Sequence, residues 1–449
     1  MDDISQAPKD QAGDVPNAPM TVAETGQDMA FFVAHFAKGM YLENLEDAAQ
    51  FAEATKLPGK LVSDILQEMT TRKLVQVMGS SGVGAGGAAR YQLTRDGQQA
   101  ALDACNLNQY FGPAPVTLKE YQDRILLQGI RGERIGKEKI AQSFADIVVP
   151  ESFTKRLGPA INSGHSILIY GPAGNGKTTV AEKVAAIFET VIYVPYCFEV
   201  DGAIIKVFDP ALHKPVAPVA DASKQPTLRR DRTDKRWVPC RRPVVITGGE
   251  LTLEMLDLKF NAIAKFYEAP MHVKALNGTF IIDDFGRQIV SPEALLNRWI
   301  VPLQSRKDYL TLHSGKSFSL PFDELVIFST NLAPADLMDP AFLRRIPYKL
   351  ETLEPSVEDF RAIFQGVAKK SGLALPDDIF SYVVAELRDN FKKPLACYQP
   401  KFIIDQVLAA CKYEGIEPAF RQDFVADALA NLYVTKSNYV GQVGTQPPK

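Results

Sequence analysis

Gly171, Gly176, Lys177 and Thr178 stand in the stretch "YGPAGNGKTTVAEKVA", residues 170–185, and satisfy the spacing G-x-x-x-x-G-K-[ST]. A loop of this type holds phosphate by geometry. Its glycines let successive backbone N–H groups turn inward, and the helix that follows adds the partial positive charge of its N-terminus. Gly171, Pro172, Ala173, Gly174, Asn175 and Gly176 would form the cradle. Lys177 would reach the outer phosphates, and the Thr178 hydroxyl, beside Thr179, would ligate Mg²⁺. Further along, residues 279–287 read "TFIIDDFGR". Phe280, Ile281 and Ile282 have the look of a buried parallel strand that ends in two carboxylates. Asp283 suits the hydration shell of the Mg²⁺, and Asp284 suits orienting or activating a water.

These groups need a scaffold, and the flanks supply one. "SILIY", Ser166 to Tyr170, is a short apolar run of strand type ahead of the loop. After it, Val180, Val184 and Ile187 recur at helical spacing. "VVPESFTKRLGPAINSGHS" predicts a helix just before the loop strand. "SPEALLNRWIVPLQSRK" predicts another after the second motif, and "GGELTLEMLDLKFNAIAKFYEAP" a further helix before it. "EVDGAIIKVFDP" reads as a hairpin around Asp201-Gly202, and "DYLTLHSGKSFSL" as one turning at Ser314-Gly315.

The N-terminal third is different in kind. Residues 1–27 are acidic and proline-bearing and predict a disordered tail. Residues 28–105 carry three helical patterns, then two strands around the glycine-rich "SSGVGAGGA", then a fourth helix behind Thr94. This order resembles a winged helix-turn-helix. Nine acidic against seven basic residues leave the unit at net −2, with no basic face for phosphate backbones, so it fits protein docking better than DNA. Residues 106–146 read as a connector of broken, mixed-charge segments.

From 147 to about 436 the chain resembles the AAA+ ATPase family. The resemblance rests on the phosphate loop, the Asp283-Asp284 pair and three further stretches. "VIFSTN" ends in Asn331, matching the family's polar sensor 1. "DPAFLRRIPYKLE" places Arg344 and Arg345 where the family carries its arginine finger. "YQPKFIIDQVL" puts Lys401 where many members have a sensor-2 cation. The resemblance implies an α/β fold: a P-loop three-layer αβα sheet domain over 147–353 and a helical lid over 354–436, with a flexible tail over 437–449. It also implies ATP and Mg²⁺ as ligands, a hexameric ring, and remodelling or assembly of a protein partner. The second hairpin is loosely similar to that of MoxR-type chaperones.

Two departures matter. The family usually has Asp-Glu at the second motif, and Asp284 is one methylene shorter, which points to slow hydrolysis or a nucleotide switch. No pore loop of the protein-threading type is present. Between the two motifs, "LRRDRTDKRWVPCRRPVV" is a basic run around Trp237, readable as a solvated loop or as a partner surface. Composition is that of an ordinary globular chain: 46% hydrophobic, 23% charged, net charge −3. That balance gives no global pull toward nucleic acid or acidic membranes. Five scattered cysteines form neither a disulfide framework nor a zinc pattern and suit a reducing cytosol. A DNA-acting motor and a slow ATP-binding scaffold remain open beside the remodelling ATPase.

Overall fold

The computed structural model describes residues 15–81, 88–216 and 233–433. Helix α1 (Met29–Leu42) is capped by Asp28, which accepts from the Phe31 N–H at 2.7 Å. Helix α2 (Ala48–Thr55) starts in a capping box of Asp47 and Gln50, and α3 (Gly59–Thr71) buries Leu61, Val62, Ile65, Leu66 and Met69. Strands β1 (Val75–Ser81) and β2 (Ala88–Leu93) pair antiparallel, and α4 (Arg95–Leu107) closes the unit behind its Thr94 cap. Phe32, Phe36 and Phe51 pack with the α3 side chains in one core. The glycine-rich turn between β1 and β2 lies outside the described residues.

Residues 15–27 correct the expectation of a tail. Asp234 donates its N–H to the Pro16 carbonyl at 2.8 Å, Asn17 bridges Thr233, and Thr25 is fully buried. Backbone pairing can fix a polar stretch that composition alone marks as disordered.

The expected connector is also built into the molecule. It holds β3 (Val116–Thr117), α5 (Leu118–Leu127) and α6 (Lys137–Ser143). Then come α7 (Glu151–Ser163), β4 (Ile167–Tyr170), α8 (Lys177–Ala186), β5 (Val191–Pro195), β6 (Cys197–Val200) and β7 (Ala203–Lys206). Asp201 and Gly202, at φ 55° and 79°, make the tight β6–β7 turn. β8 (Trp237–Arg241) pairs with β5, and β9 (Val244–Thr247) follows.

The helix predicted over 249–270 is a correction. Leu251, Met255 and Leu258 mimic helical spacing, but only Leu253–Leu256 coil, into a single short turn. Beyond them β10 (Lys259–Asn261) and β11 (Phe266–Glu268) form a hairpin turning through Lys265 at φ 54°. Aromatic residues on β11 favour the pleated surface over a helix. α9 (Met271–Lys274) ends the insertion. Strands β10-β11-β7-β6-β3 make an accessory sheet, with β3 contributed by the supposed connector.

The main sheet forms next, from β12 (Thr279–Ile282), then α10 (Pro292–Ser305), the hairpin β13 (Lys307–Thr311) and β14 (Ser317–Pro321), and β15 (Leu325–Thr330). Short helices α11 (Pro334–Leu337) and α12 (Pro340–Leu343) lead into β16 (Tyr348–Glu351). Its order is β16-β4-β15-β12-β9, every pair parallel. Alternation along each strand sends side chains to two cores. Ile167, Ile169, Ile281 and Ile327 pack against α7 and α8. Leu168, Phe280, Ile282 and Phe328 pack against Trp299 of α10 and Phe342 of α12. The result is the three-layer α/β/α sandwich. A separate helical unit follows, α13 (Val357–Lys370), α14 (Asp377–Ala385), α15 (Gln399–Glu414) and α16 (Gln422–Leu432), around Phe360, Phe364, Val383 and Ile404.

One buried polar group ties the β13–β14 hairpin to α9 and α10. Asp308 on β13 meets His272 Nε2 at 2.6 Å and both terminal nitrogens of Arg298 at 2.6 and 2.9 Å. Burial alone would raise its carboxyl, but the bonds from His272 and Arg298 outweigh burial and hold the pKa at about 2. A depressed carboxyl contributes stability above its unfolded pKa and loses it as pH falls through the folded value. Asp308→Asn should therefore cost about 3 kcal/mol at pH 7. Urea unfolding across pH should show that gap closing from about pH 4 toward pH 2.

Candidate nucleotide-binding site

Parallel pairing puts the carboxyl ends of all five strands on one edge. β4 ends into the glycine loop, β15 into Asn331 and β12 into Asp283. Gly171, Gly174 and Gly176 hold φ of 139°, 80° and 76°, the left-handed range that glycine tolerates. A Cβ on Gly171 would also run into the Thr352 carbonyl, and one on Gly174 into the Tyr398 ring.

Lys177 is 6% exposed, and its ammonium donates to the Gly171 and Pro172 carbonyls at 3.0 and 2.8 Å. Burial lowers its pKa below the usual lysine range, opposed by the charges of Asp283 and Asp284. The Thr178 hydroxyl donates to Asp283 Oδ2 at 2.7 Å. Asn331 donates from Nδ2 to Asp284 Oδ1 at 2.9 Å. Asp284 sits at φ 48°, a conformation aspartate accepts more readily than most residues.

The turn after the carboxylates is braced from two sides. Phe285 donates its N–H to the Ser329 carbonyl at 2.7 Å, and Thr330 donates its hydroxyl to the Phe285 carbonyl at 2.7 Å. Gln288 accepts from the Gly286 N–H and donates to the Asp283 and Asp284 carbonyls.

These groups open on a cleft of about 920 Å³ between the sheet edge and the helical unit. At its mouth Asp146 pairs with Lys183 of α8 at 2.5 Å and with Lys370 of α13 at 4.0 Å. The helical unit also touches the loop directly. Tyr398 donates its N–H to the Gly174 carbonyl at 3.0 Å, and Cys397 donates to Asn175 Oδ1 at 3.3 Å. The donor set fits a phosphate chain with its cation. Among the described residues a buried ammonium is bonded only to loop carbonyls, a hydroxyl is paired with a carboxylate, and Asn175 Nδ2 is buried without a partner.

Gly174, Asn175, Gly176, Lys177, Thr178 and Thr179 line this cleft with Ala173, Asp283, Asp284 and Asn331. The other expected residues stand apart from this cluster. Lys401 lines the cleft but pairs with Asp405 on its own helix at 2.7 Å. Arg344 is exposed at the end of α12, and Arg345 lies 3.4 Å from Gln304; neither lines the cleft. The described part of the basic run is divided: Lys235 and Arg241 are exposed, whereas Arg236, Trp237 and Arg242 are internal, which corrects the surface reading for those three alone. Arg236 is 2% exposed and bonded to Asp234, Arg242 bonds Thr190 and the Asn277 carbonyl, and Trp237 is core. Residues 217–232 lie outside the described residues. Sequence reading missed Gln288, Tyr398 and Asp146. Only Tyr398 had a signal, as the first residue of the "YQPK" motif.

Strand, glycine loop, helix and the carboxylate at the end of β12 define a phosphate-loop α/β domain. A family model described as a domain of unknown function (DUF8689) matches residues 356–431, the helical unit. No curated protein matches the chain. Among solved structures the chain is similar to NtrX from Brucella abortus, with 13% identity and a TM-score of 0.40 over 67% of this chain and 60% of that one. It is similar to the Thermotoga maritima RuvB Holliday junction branch migration motor, with 16% identity and a TM-score of 0.34 over 67% and 71%. A third is a complex between subunits BchI and BchD of magnesium chelatase, with 18% identity and a TM-score of 0.34 over 64% and 95%. The chain thus spans 60% of the NtrX chain's length. The residue assignments rest on the site's own geometry.

That geometry makes Gly174 a sensitive position. Gly174→Ala should weaken binding of a fluorescent ATP analogue at least about tenfold, because the new Cβ meets Tyr398 and the loop leaves its φ. A thermal melt should show the fold retained.

Proposed function

We propose that the chain is an AAA+ ATPase that binds and hydrolyses MgATP to remodel or assemble a protein partner. The observation that carries this reading is the convergence of Lys177, the Thr178–Asp283 pair and the Asp284–Asn331 pair on one sheet edge. Thr178 and Asp283 would hold Mg²⁺, which would neutralise phosphate charge. Lys177 would exchange its loop carbonyls for phosphate oxygens. Asp284 would orient water, with Asn331 fixing its carboxylate. Residues 356–432 would act as the lid.

Ring assembly would complete the site. Arg344 is exposed and, among the described residues, makes no side-chain hydrogen bond or ion pair, whereas Arg345 is tied to Gln304. Arg344 is therefore the better finger, stabilising charge on a phosphoryl group bound by the neighbour. The winged-helix-like unit over 28–105 would receive the partner. On α3, Arg72 is paired with Glu68, which leaves that helix poorly equipped for DNA. No helix among the described residues is long and apolar enough to cross a membrane, in keeping with a proposed cytoplasmic setting.

A second reading has its own observation. Asp284 is short, sits at φ 48° and is bonded to Asn331, an arrangement that would hold ATP with little turnover and make the chain a nucleotide switch or scaffold.

ATPase rate per subunit should rise with protein concentration if a neighbour completes the site, and Arg344→Ala should flatten that rise. A near-zero flat rate with ATP bound would select the switch. Lys177→Ala should abolish ATP binding in a calorimetric titration. Asp284→Asn should keep binding within about threefold and lower kcat at least about a hundredfold.

A further inference from the structure

Asn175 is a phosphate-loop residue that lines the cleft and is bonded to the helical unit. It is 7% exposed and stands two residues before Lys177. Its carbonyl oxygen accepts the Cys397 N–H from the helical unit at 3.3 Å. Its amide nitrogen is buried and has no partner among the described residues, although the residue lines the nucleotide cleft. A side chain present only to stiffen the loop would satisfy both ends, since a buried unpaired donor is unfavourable by about 1–3 kcal/mol.

The segment it meets is hydrogen-bonded to the loop and within itself. Tyr398 donates to the Gly174 carbonyl, and its ring covers the Gly174 Cα. Gln399 is fully buried, accepts from the Ala396 N–H at 2.8 Å, and donates to the Pro394 carbonyl and the Tyr433 hydroxyl at 3.0 and 2.7 Å. Hydrogen bonds thus link Asn175 to Cys397, ahead of α15, and Gln399, at the start of α15, to Tyr433, which follows α16. Lys401, which the sequence offers as the contact from the helical unit to the nucleotide, is paired with Asp405 instead.

We propose that Asn175 is a positioning residue that couples the terminal phosphate of the bound nucleotide to the helical unit. Its Nδ2 donates to that phosphate while its Oδ1 keeps the Cys397 N–H. The inference rests on the nucleotide reading above. ATP, which carries the terminal phosphate, engages the Nδ2 donor and tightens segment 396–402. ADP leaves the donor idle and the segment looser.

The test compares the full-length protein with Asn175→Leu and Asn175→Asp. ATP and ADP affinities are measured by titration, and amide hydrogen exchange is followed over 396–402. In the wild type ATP should slow exchange in that segment more than ADP does. Leu removes both functions, so basal exchange should rise and the ATP-over-ADP preference should fall about tenfold, the worth of one hydrogen bond to a charged group. Asp keeps the acceptor, so basal exchange should stay at the wild-type level while the ATP preference is lost. An unchanged ATP preference in Asn175→Leu, or unchanged exchange over 396–402, overturns the coupling while the nucleotide reading stands. A wild type that binds neither nucleotide overturns the nucleotide reading itself.

Discussion

The hydrogen bond from Thr178 to Asp283 is the constraint on which the site depends, because its partners follow strands that do not touch. β4 and β12 stand two strand spacings apart, about 9.5 Å, with β15 between them. The loop and the first turn of α8 must carry Thr178 sideways across the end of β15. Only left-handed backbone at Gly174 and Gly176 allows that path. The middle position then falls to Asn331, which reaches Asp284. Any other strand order would separate these four residues. The two flanking cores preserve the order by alternating apolar side chains to both faces of each strand.

The local part of this was legible in the sequence. Strand, loop and helix around Gly171–Thr178 are consecutive, so spacing alone reveals them. The hairpins at Asp201-Gly202 and Ser314-Gly315 carry their own turn residues, with Gly202 and Gly315 at φ 79° and 86°. What escaped was non-local. β3 has two strand residues, and nothing in Val116 or Thr117 says that Phe198 and Glu199 will pair with them. Apolar spacing over 251–258 suited a helix, and only the hairpin partner decided otherwise. Arg236, Trp237 and Arg242 looked like surface because charge density is local, while the Asp234, Thr190 and Asn277 groups that receive the arginines are set by the fold.

The helical unit meets the loop through backbone more than through charge. Tyr398 and Cys397 offer N–H groups to Gly174 and Asn175, so the contact needs loop shape and no particular cation. A pattern search for a basic residue is drawn to Lys401 and passes over its neighbours. Asp146, which lines the cleft, adds ion pairs to Lys183 of α8 and Lys370 of α13. The cleft is thus bridged by two kinds of contact, one electrostatic and salt-sensitive, the other made of hydrogen bonds.

The N-terminal unit is flanked on both sides by segments that are bonded into the rest of the fold. β3 is hydrogen-bonded to β6, Tyr110 sits against Cys197 and Phe266, and Pro16 receives the Asp234 N–H. A load applied to α1–α4 would therefore leave by two short routes, the two β3–β6 residue pairs on one side and the Pro16 carbonyl on the other.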